Sequence, residues 1–342
     1  MAISILFAVL GFGFLIVIHE AGHFLIARAF KIEADEFSIG MGPKLVSKPW
    51  GRTLFSLRAF PIGAFVMFAD PGESDTETAE GIHTENPYLN SPAWKRFFIS
   101  LAGPFFNFFL ATLVLITLAF FTGIPSNTPL IGGVMPDGVA EEAGIEIGDI
   151  IVSINGNEIS YWSDITEHVA PASGREITVV VERNGNLLSF TMIPQENAEG
   201  RGVIGVGGSV QQFMLFGSVL EGFRQTWTFI SETVKGFASL FQKDALDSFI
   251  GPIGIVSVTG QVAQTGFANF VWFLAYLSIN LGVVNLLPIP ALDGGRVVFL
   301  LLEMIRGKKM NEKLESTISS IGFALIFGLI LLVSMRDIFQ LR

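Results

Sequence analysis

No cysteine occurs in the 342 residues. Disulfides and thiolate metal sites are therefore excluded, and any metal must be held by histidine and carboxylate. Charge is also scarce, at 15% of residues against 50% hydrophobic, and the mean hydropathy is +0.57. That balance describes a polytopic membrane protein carrying some soluble mass. Positive charge is the scarcer sign, and a net charge of −10 argues against nucleic acid as a partner. Histidine is rarer still, at four residues. Phenylalanine is abundant, at 33 residues, and suits lipid-facing and packed intramembrane surfaces.

Four apolar runs of spanning length stand out: Ile3–Arg28, Phe97–Phe121, Phe267–Leu287 and Ile318–Ser334. The first lacks a basic n-region and is too long for the core of a signal peptide, so it reads as a retained transmembrane helix. The segment Phe213–Gln242 carries Glu221, Arg224, Glu232 and Lys235 and reads as an amphipathic helix at the interface. Eight Lys and Arg fall between Arg28 and Arg96 and five between Arg296 and Lys313, whereas Gly123–Thr265 has six against 16 Asp and Glu. By the positive-inside rule the two basic loops are cytoplasmic, and the acidic stretch and both termini are external.

The first run is interrupted by His19-Glu20-Ala21-Gly22-His23. Ionisable groups in hydrocarbon are costly, so such a cluster points to function. Residues i and i+4 share a helix face, so His19 and His23 can offer two imidazoles to one Zn²⁺. Glu20, beside that face, can take a proton from water on the metal. This is the H-E-x-x-H arrangement of metalloproteases. His19 lies about 16 residues into its helix, roughly 24 Å at ~1.5 Å per residue, in the cytoplasmic third of the membrane. His83 lies in a polar loop with no ligand spacing around it, and His168, in the external segment, reads as an ordinary helix residue.

Catalytic zinc generally takes three protein ligands. The third run ends Asn280-Leu-Gly-Val-Val-Asn285-Leu-Leu-Pro288-Ile-Pro290-Ala-Leu-Asp293-Gly294-Gly295-Arg296. Two prolines stop a regular helix, and irregular backbone at membrane depth needs a protein-lined cavity. Asp293, just past this break at the depth of the histidines, is the best third ligand; alone, it would also read as a turn ending a helix. Asn280 and Asn285 either bond neighbouring helices or line the cleft and hold substrate backbone.

With HEAGH in the first span and NLLPIPALDGG in a later one, the chain resembles the site-2 proteases, and more closely the bacterial regulator-of-sigma-E protease group. Phe37–Pro43 and Arg58–Gly63 look like that family's membrane-associated β loop. Ala102-Gly103-Pro104 with Asn107 resembles its second span, and Gly251–Ile255 its segment before the third. The resemblance implies an intramembrane zinc metalloprotease, with His19, His23 and Asp293 on zinc and Glu20 as general base. It implies Asn280, Asn285, Pro288 and Pro290 as substrate-handling positions. It also implies single-pass membrane substrates already trimmed outside by an upstream protease, with anti-sigma factors and remnant signal peptides as typical classes, in a bacterial inner membrane.

Ala143–Gly156 reads as a helix ended by Gly144, a turn at Gly148-Asp149, a strand over Ile150–Ile154 and a hairpin at Asn155-Gly156. Strands Ile177–Val181 and Leu187–Ile193 follow. This is similar to a PDZ domain, with Val203, Ile204, Gly205 and Val206 as the peptide-binding loop if the domain is permuted as in bacterial relatives. The chain has room for one such domain, where the best-known member of the group has two. The expected layout is residues 1–122 with the histidine motif and a cytoplasmic β loop, 123–210 as the external domain, 211–265 as an interfacial region, and 266–342 with Asp293. The expected fold is thus a polytopic α-helical membrane protein of four transmembrane helices with a membrane-associated β loop and one α+β PDZ domain. A non-catalytic PDZ-presenting scaffold and a metal transporter are the rival readings.

Overall fold

A computed structural model of the chain describes residues 2–68, 88–197, 200–239 and 251–340. His83 lies outside them. The chain divides into two compact units, Met1–Thr117 with Val219–Arg342, and Leu118–Ser218.

The first unit is helical. Helices α1 (Ala2–Ala29) and α2 (Ala93–Phe121) are separated by strands β1 (Glu36–Trp50) and β2 (Thr53–Met67). Among the described residues, four helices are long and apolar enough to cross a membrane, over Ile5–Ala29, Ala93–Phe121, Phe267–Leu286 and Lys313–Asp337. These are the four expected spans, the last two lying in α7 (Phe267–Leu286) and α9 (Glu312–Gln340). The chain is a multi-pass membrane protein.

The β loop doubles back on itself. Glu36–Ile39 is flanked on one side by Leu54–Leu57 and on the other by Ala64–Met67, so Phe37 meets both Phe55 and Val66. Phe24 of α1 closes edge-on against Phe37 and Phe55 at 5.4 and 5.5 Å, seating this sheet on the first helix. Buried Glu36 is neutralised by Lys44 at 3.1 Å and Arg58 at 2.8 Å, as a buried carboxylate requires.

Helix α5 (Leu215–Ser239) has the expected amphipathic character and is not among the four candidate spans. It lies against α2 and α7: Thr226 bonds Thr112 at 3.0 Å, and Phe229 stands edge-on to Trp272 at 5.1 Å. Helix α6 (Pro252–Gln264) opens with proline, which lacks the amide a first turn leaves unbonded. Two other orphan amides there, of Gly251 and Gly254, donate to buried Asp337 of α9 at 3.2 and 2.8 Å. Helix α8 (Asp293–Arg306) completes the unit, and its Glu303 pairs with buried Arg96 of α2 at 2.5 Å.

The second unit is the β domain. Its elements are β3 (Ile124–Pro125), β4 (Ile131–Val134), α3 (Val139–Ala143), β5 (Ile150–Ile154), β6 (Asn157–Glu158), α4 (Trp162–Val169), β7 (Ile177–Arg183), β8 (Asn186–Met192), β9 (Gln195–Glu196), β10 (Gly202–Val203), β11 (Val206–Gly208) and β12 (Val210–Gln211). A four-stranded sheet runs β6-β5-β7-β8. Residues facing inward from it, Ile151, Ile154, Val179 and Val181, are fully buried with Ile165 and Val169 of α4. The turns form where the sequence places them: Asn155 and Gly156 have φ of 51° and 81°, and Gly144 caps α3 at φ 93°. This is the expected PDZ-like α+β domain. His168 is an α4 residue.

Asp149, 1% exposed, locks the domain's turn. It accepts from Arg183 at 2.6 and 2.7 Å and from the Glu146 amide at 2.9 Å. The Arg183 fork holds the Asp149 carboxyl below the ordinary carboxylate range. A depressed folded-state value contributes stability that is full above the unfolded value, about 3.9, and is lost as pH falls through the lower folded value. Amide exchange in β5 and β7, corrected for intrinsic rates, should therefore accelerate in the full chain as pH drops below about 4. Asp149→Asn should show fast exchange already at neutral pH and little further change on acidification.

Candidate metal centre

One turn of α1 presents two imidazoles to the same point. The Nε2 atoms of His19 and His23 are 3.3 Å apart, and Asp293 Oδ2 lies 3.0 Å from the first and 3.3 Å from the second. Donors on a tetrahedral zinc with bonds of ~2.0–2.1 Å stand about 3.3 Å from one another. The three atoms therefore fit three corners of a zinc tetrahedron and leave the fourth for water or substrate. Two nitrogens and one carboxylate oxygen also suit zinc by type. His19 is buried, His23 is largely so, and their rings stand at 84°.

Helix α2 makes this possible by being thin where α1 crosses it. A methyl group at Gly103 would overlap the His23 ring nitrogen and the His19 ring, and one at Gly22 would overlap the Ala102 carbonyl. The next residue, Pro104, lies inside the helix. Proline offers no amide and crowds the carbonyl four residues back, loosening the hydrogen-bond ladder of that turn. The carbonyl four residues before Pro104 is that of Ser100; its neighbour, the Ile99 carbonyl, accepts from His23 Nδ1 at 2.7 Å. Two turns further along α2, the side-chain amide of Asn107 lies 3.1 Å from His19 Nδ1.

Asp293 reaches the histidines from the other end of the chain. Helix α7 stops at Leu286, and Leu287 is extended at φ −60°, ψ 140°. Pro288 and Pro290 hold the break open. Ala291 takes φ 81°, a left-handed conformation unusual for a residue with a side chain. The chain then re-enters a helix at Asp293, the first residue of α8. Gly294 and Gly295 press on the carbonyls of Leu287 and Ile289, where any larger residue would collide. The Asp-Gly-Gly sequence thus folds the break tightly under α8.

The three donors line a cavity of about 370 Å³ with Glu20, Phe65, Val66, Asn285 and Arg296. Of the positions expected to handle substrate, Asn285 faces this cavity. Asn280 turns elsewhere: it donates to Tyr276 O at 2.9 Å and accepts from Thr233 of α5 at 3.1 Å. Pro288 and Pro290 form the break and are not among the cavity's lining residues. In the β domain, Val203 ends β10, Ile204 is buried in the core, and Val206 starts β11. Gly205 sits at φ 77° with its carbonyl bonded to the Met135 amide at 2.8 Å.

Two contacts at the site are given no site role by the sequence reading. The Ile99 carbonyl carries no residue-type signal at all. Asn107 had one, being a polar residue in an apolar span one turn after a Gly-Pro pair. Gly103→Ala should cost at least ~10-fold in zinc content, since a ligand ring must move. Metal analysis of the purified protein checks this, with Gly133→Ala, where nothing lies within 4 Å, as the control.

Comparison with known proteins bears on this geometry. Residues 7–329 match the model of peptidase family M50. The Fusobacterium nucleatum protein FN1322 is 37% identical over 99% of both chains. The regulator of sigma-W protease RasP of Bacillus subtilis is 33% identical over 96% of this chain and 97% of its own. The zinc metalloprotease RasP of Geobacillus kaustophilus is 32% identical over 98% and 97%. Among solved structures, the PDZ domain of an SdrC-like protein from Listeria monocytogenes matches 25% of this chain and 90% of its own, at 15% identity and a TM-score of 0.22. Two imidazoles and a carboxylate at tetrahedral spacing, in a chain matched to this family over nearly its whole length, make the protein a zinc metalloprotease of peptidase family M50, the site-2 proteases.

Proposed function

We propose that the protein hydrolyses peptide bonds within the membrane, in transmembrane segments of single-pass proteins. The observation that carries this reading is the placement of the donors. His19 and His23 sit in a candidate span, and Asp293 begins the helix that follows another. His19, His23 and Asp293 would hold the zinc. When bound, zinc supplies Lewis acidity, acidifying water and polarising a carbonyl.

The rest of the chemistry belongs to the chain. Glu20 lines the same cavity, next to the histidine face of α1. Its carboxylate takes the proton of the attacking water and passes it to the leaving amine. A substrate helix has no free amides, so it must be held unwound. Ala64–Met67 is an outer strand of the β loop, and its Phe65 and Val66 line the cavity. An extended substrate added along that strand would have its backbone groups satisfied beside the metal. Asn285, which lines the cavity, would bond that backbone, whereas Asn280 ties α7 to α5.

By the charge of its short loops, the active site lies towards the cytoplasmic side of a bacterial inner membrane, with the PDZ-like domain outside. That domain, through Val203–Val206, would read or exclude the external end of a substrate already trimmed by an upstream protease. The Bacillus subtilis relative is named as a sigma-W regulator, which supports anti-sigma factors as one substrate class. Remnant signal peptides are another.

The test is cleavage, in detergent, of a single-pass substrate shortened on its external side. Glu20→Gln should keep its zinc and lose at least about 100-fold in rate. Val66→Pro, which removes from the outer strand an amide that also bonds the Glu20 carboxylate, should slow cleavage with zinc retained. Equal cleavage by wild type and Glu20→Gln would exclude Glu20 as the base, and unchanged cleavage by Val66→Pro would exclude strand addition there.

A further inference from the structure

Helix α2 gives each histidine one contact behind the metal-facing nitrogen. For His23 the partner is the Ile99 carbonyl, 2.7 Å from Nδ1. A carbonyl only accepts, so His23 carries its proton on Nδ1 and presents a lone pair at Nε2. His19 faces the same point, with Nε2 at 3.3 Å from His23 Nε2 and 3.0 Å from Asp293 Oδ2. To serve as a ligand it needs the same tautomer, and its Nδ1–H then needs an acceptor.

The group behind His19 is Asn107. This side chain is 0% exposed, and its Oδ1 has no hydrogen-bond partner among the described residues. Its Nδ2 lies 3.1 Å from His19 Nδ1. In that orientation the amide donates to Nδ1, which places the histidine proton on Nε2, where the metal belongs. The two ends of an asparagine amide have the same shape, so a half-turn about the last bond costs nothing in packing. It brings the orphaned oxygen onto Nδ1–H. Ser278 of α7 donates to the Asn107 backbone carbonyl at 3.0 Å and helps to fix this turn of α2.

We infer that Asn107 is a positioning residue of the metal centre: its side-chain oxygen accepts from His19 Nδ1 and holds that ring in the tautomer that ligates zinc. The inference rests on the His-His-Asp reading of the site.

Two measurements on the purified full-length protein test it. The first is zinc affinity by chelator competition. Asn107→Asp keeps an acceptor and loses the donor, and should bind zinc within about threefold of wild type. Asn107→Leu keeps the volume and loses the acceptor, and should bind ~10–100-fold more weakly. The second is the ¹⁵N spectrum of histidine-labelled, zinc-loaded wild type, in which only four histidines contribute and the metal takes the place of a proton between His19 and Asp293. His19 should show the Nδ1–H tautomer. An Nε2–H tautomer, a leucine variant as tight as wild type, or an aspartate variant as weak as the leucine one would each overturn the assignment. Wild type that binds no zinc would refute the metal reading itself, whereas wild type that binds zinc beside a leucine variant as tight would refute this assignment alone.

Discussion

A carboxylate cannot remain ionised among apolar helices without a cation to compensate it. Asp293 stands between two neutral-type ligands, His19 and His23, at 3.0 and 3.3 Å, and neither it nor the pair makes sense as packing. Everything nearby follows from bringing these donors together from opposite ends of the chain. Helix α1 supplies two through its i, i+4 spacing. The third requires that α7 be broken, turned and restarted, because a continuous helix would carry Asp293 past the site. The prolines, the left-handed Ala291 and the two close-packed glycines are the local consequences.

Helix α2 contributes no ligand, yet the site depends on it. Its Gly103 lets the α1 imidazoles approach, and the Ile99 carbonyl and Asn107 meet them from behind. The same helix is tied to α8 by Arg96 and Glu303. The helix bearing Asp293 and the helix orienting the histidines are therefore held to each other by a pair shielded from solvent. Precision at a metal site resides in such supporting contacts as much as in the ligands.

Much of this was legible because the sequence is so apolar. In a run with few ionisable residues, His19, Glu20 and His23 are conspicuous, and Asp293 follows a break that only a cavity would justify. The four spans and the Asn-Gly turns of the β domain follow from equally local physics. Direction around a helix is harder. Asn280 and Asn285 are five residues apart, about 140° around the axis at ~100° per residue, so both cannot face one cavity. The sequence does not say which does; packing on Thr233 of α5 decides it. The doubling of the β loop, with Glu36–Ile39 flanked on both sides, was also hidden, since strand order is set by long-range pairing. Backbone acceptors such as the Ile99 carbonyl leave no mark in residue identity.

The account stands on one metal ion held jointly by α1 and by the first residue of α8. X-ray absorption at the zinc edge, combined with metal stoichiometry, tests this most directly on wild type and Asp293→Ala. One zinc per chain with two imidazole nitrogens and oxygen donors, depleted in Asp293→Ala, is the result expected. Undiminished zinc in Asp293→Ala, or a first shell without two imidazoles, would contradict it.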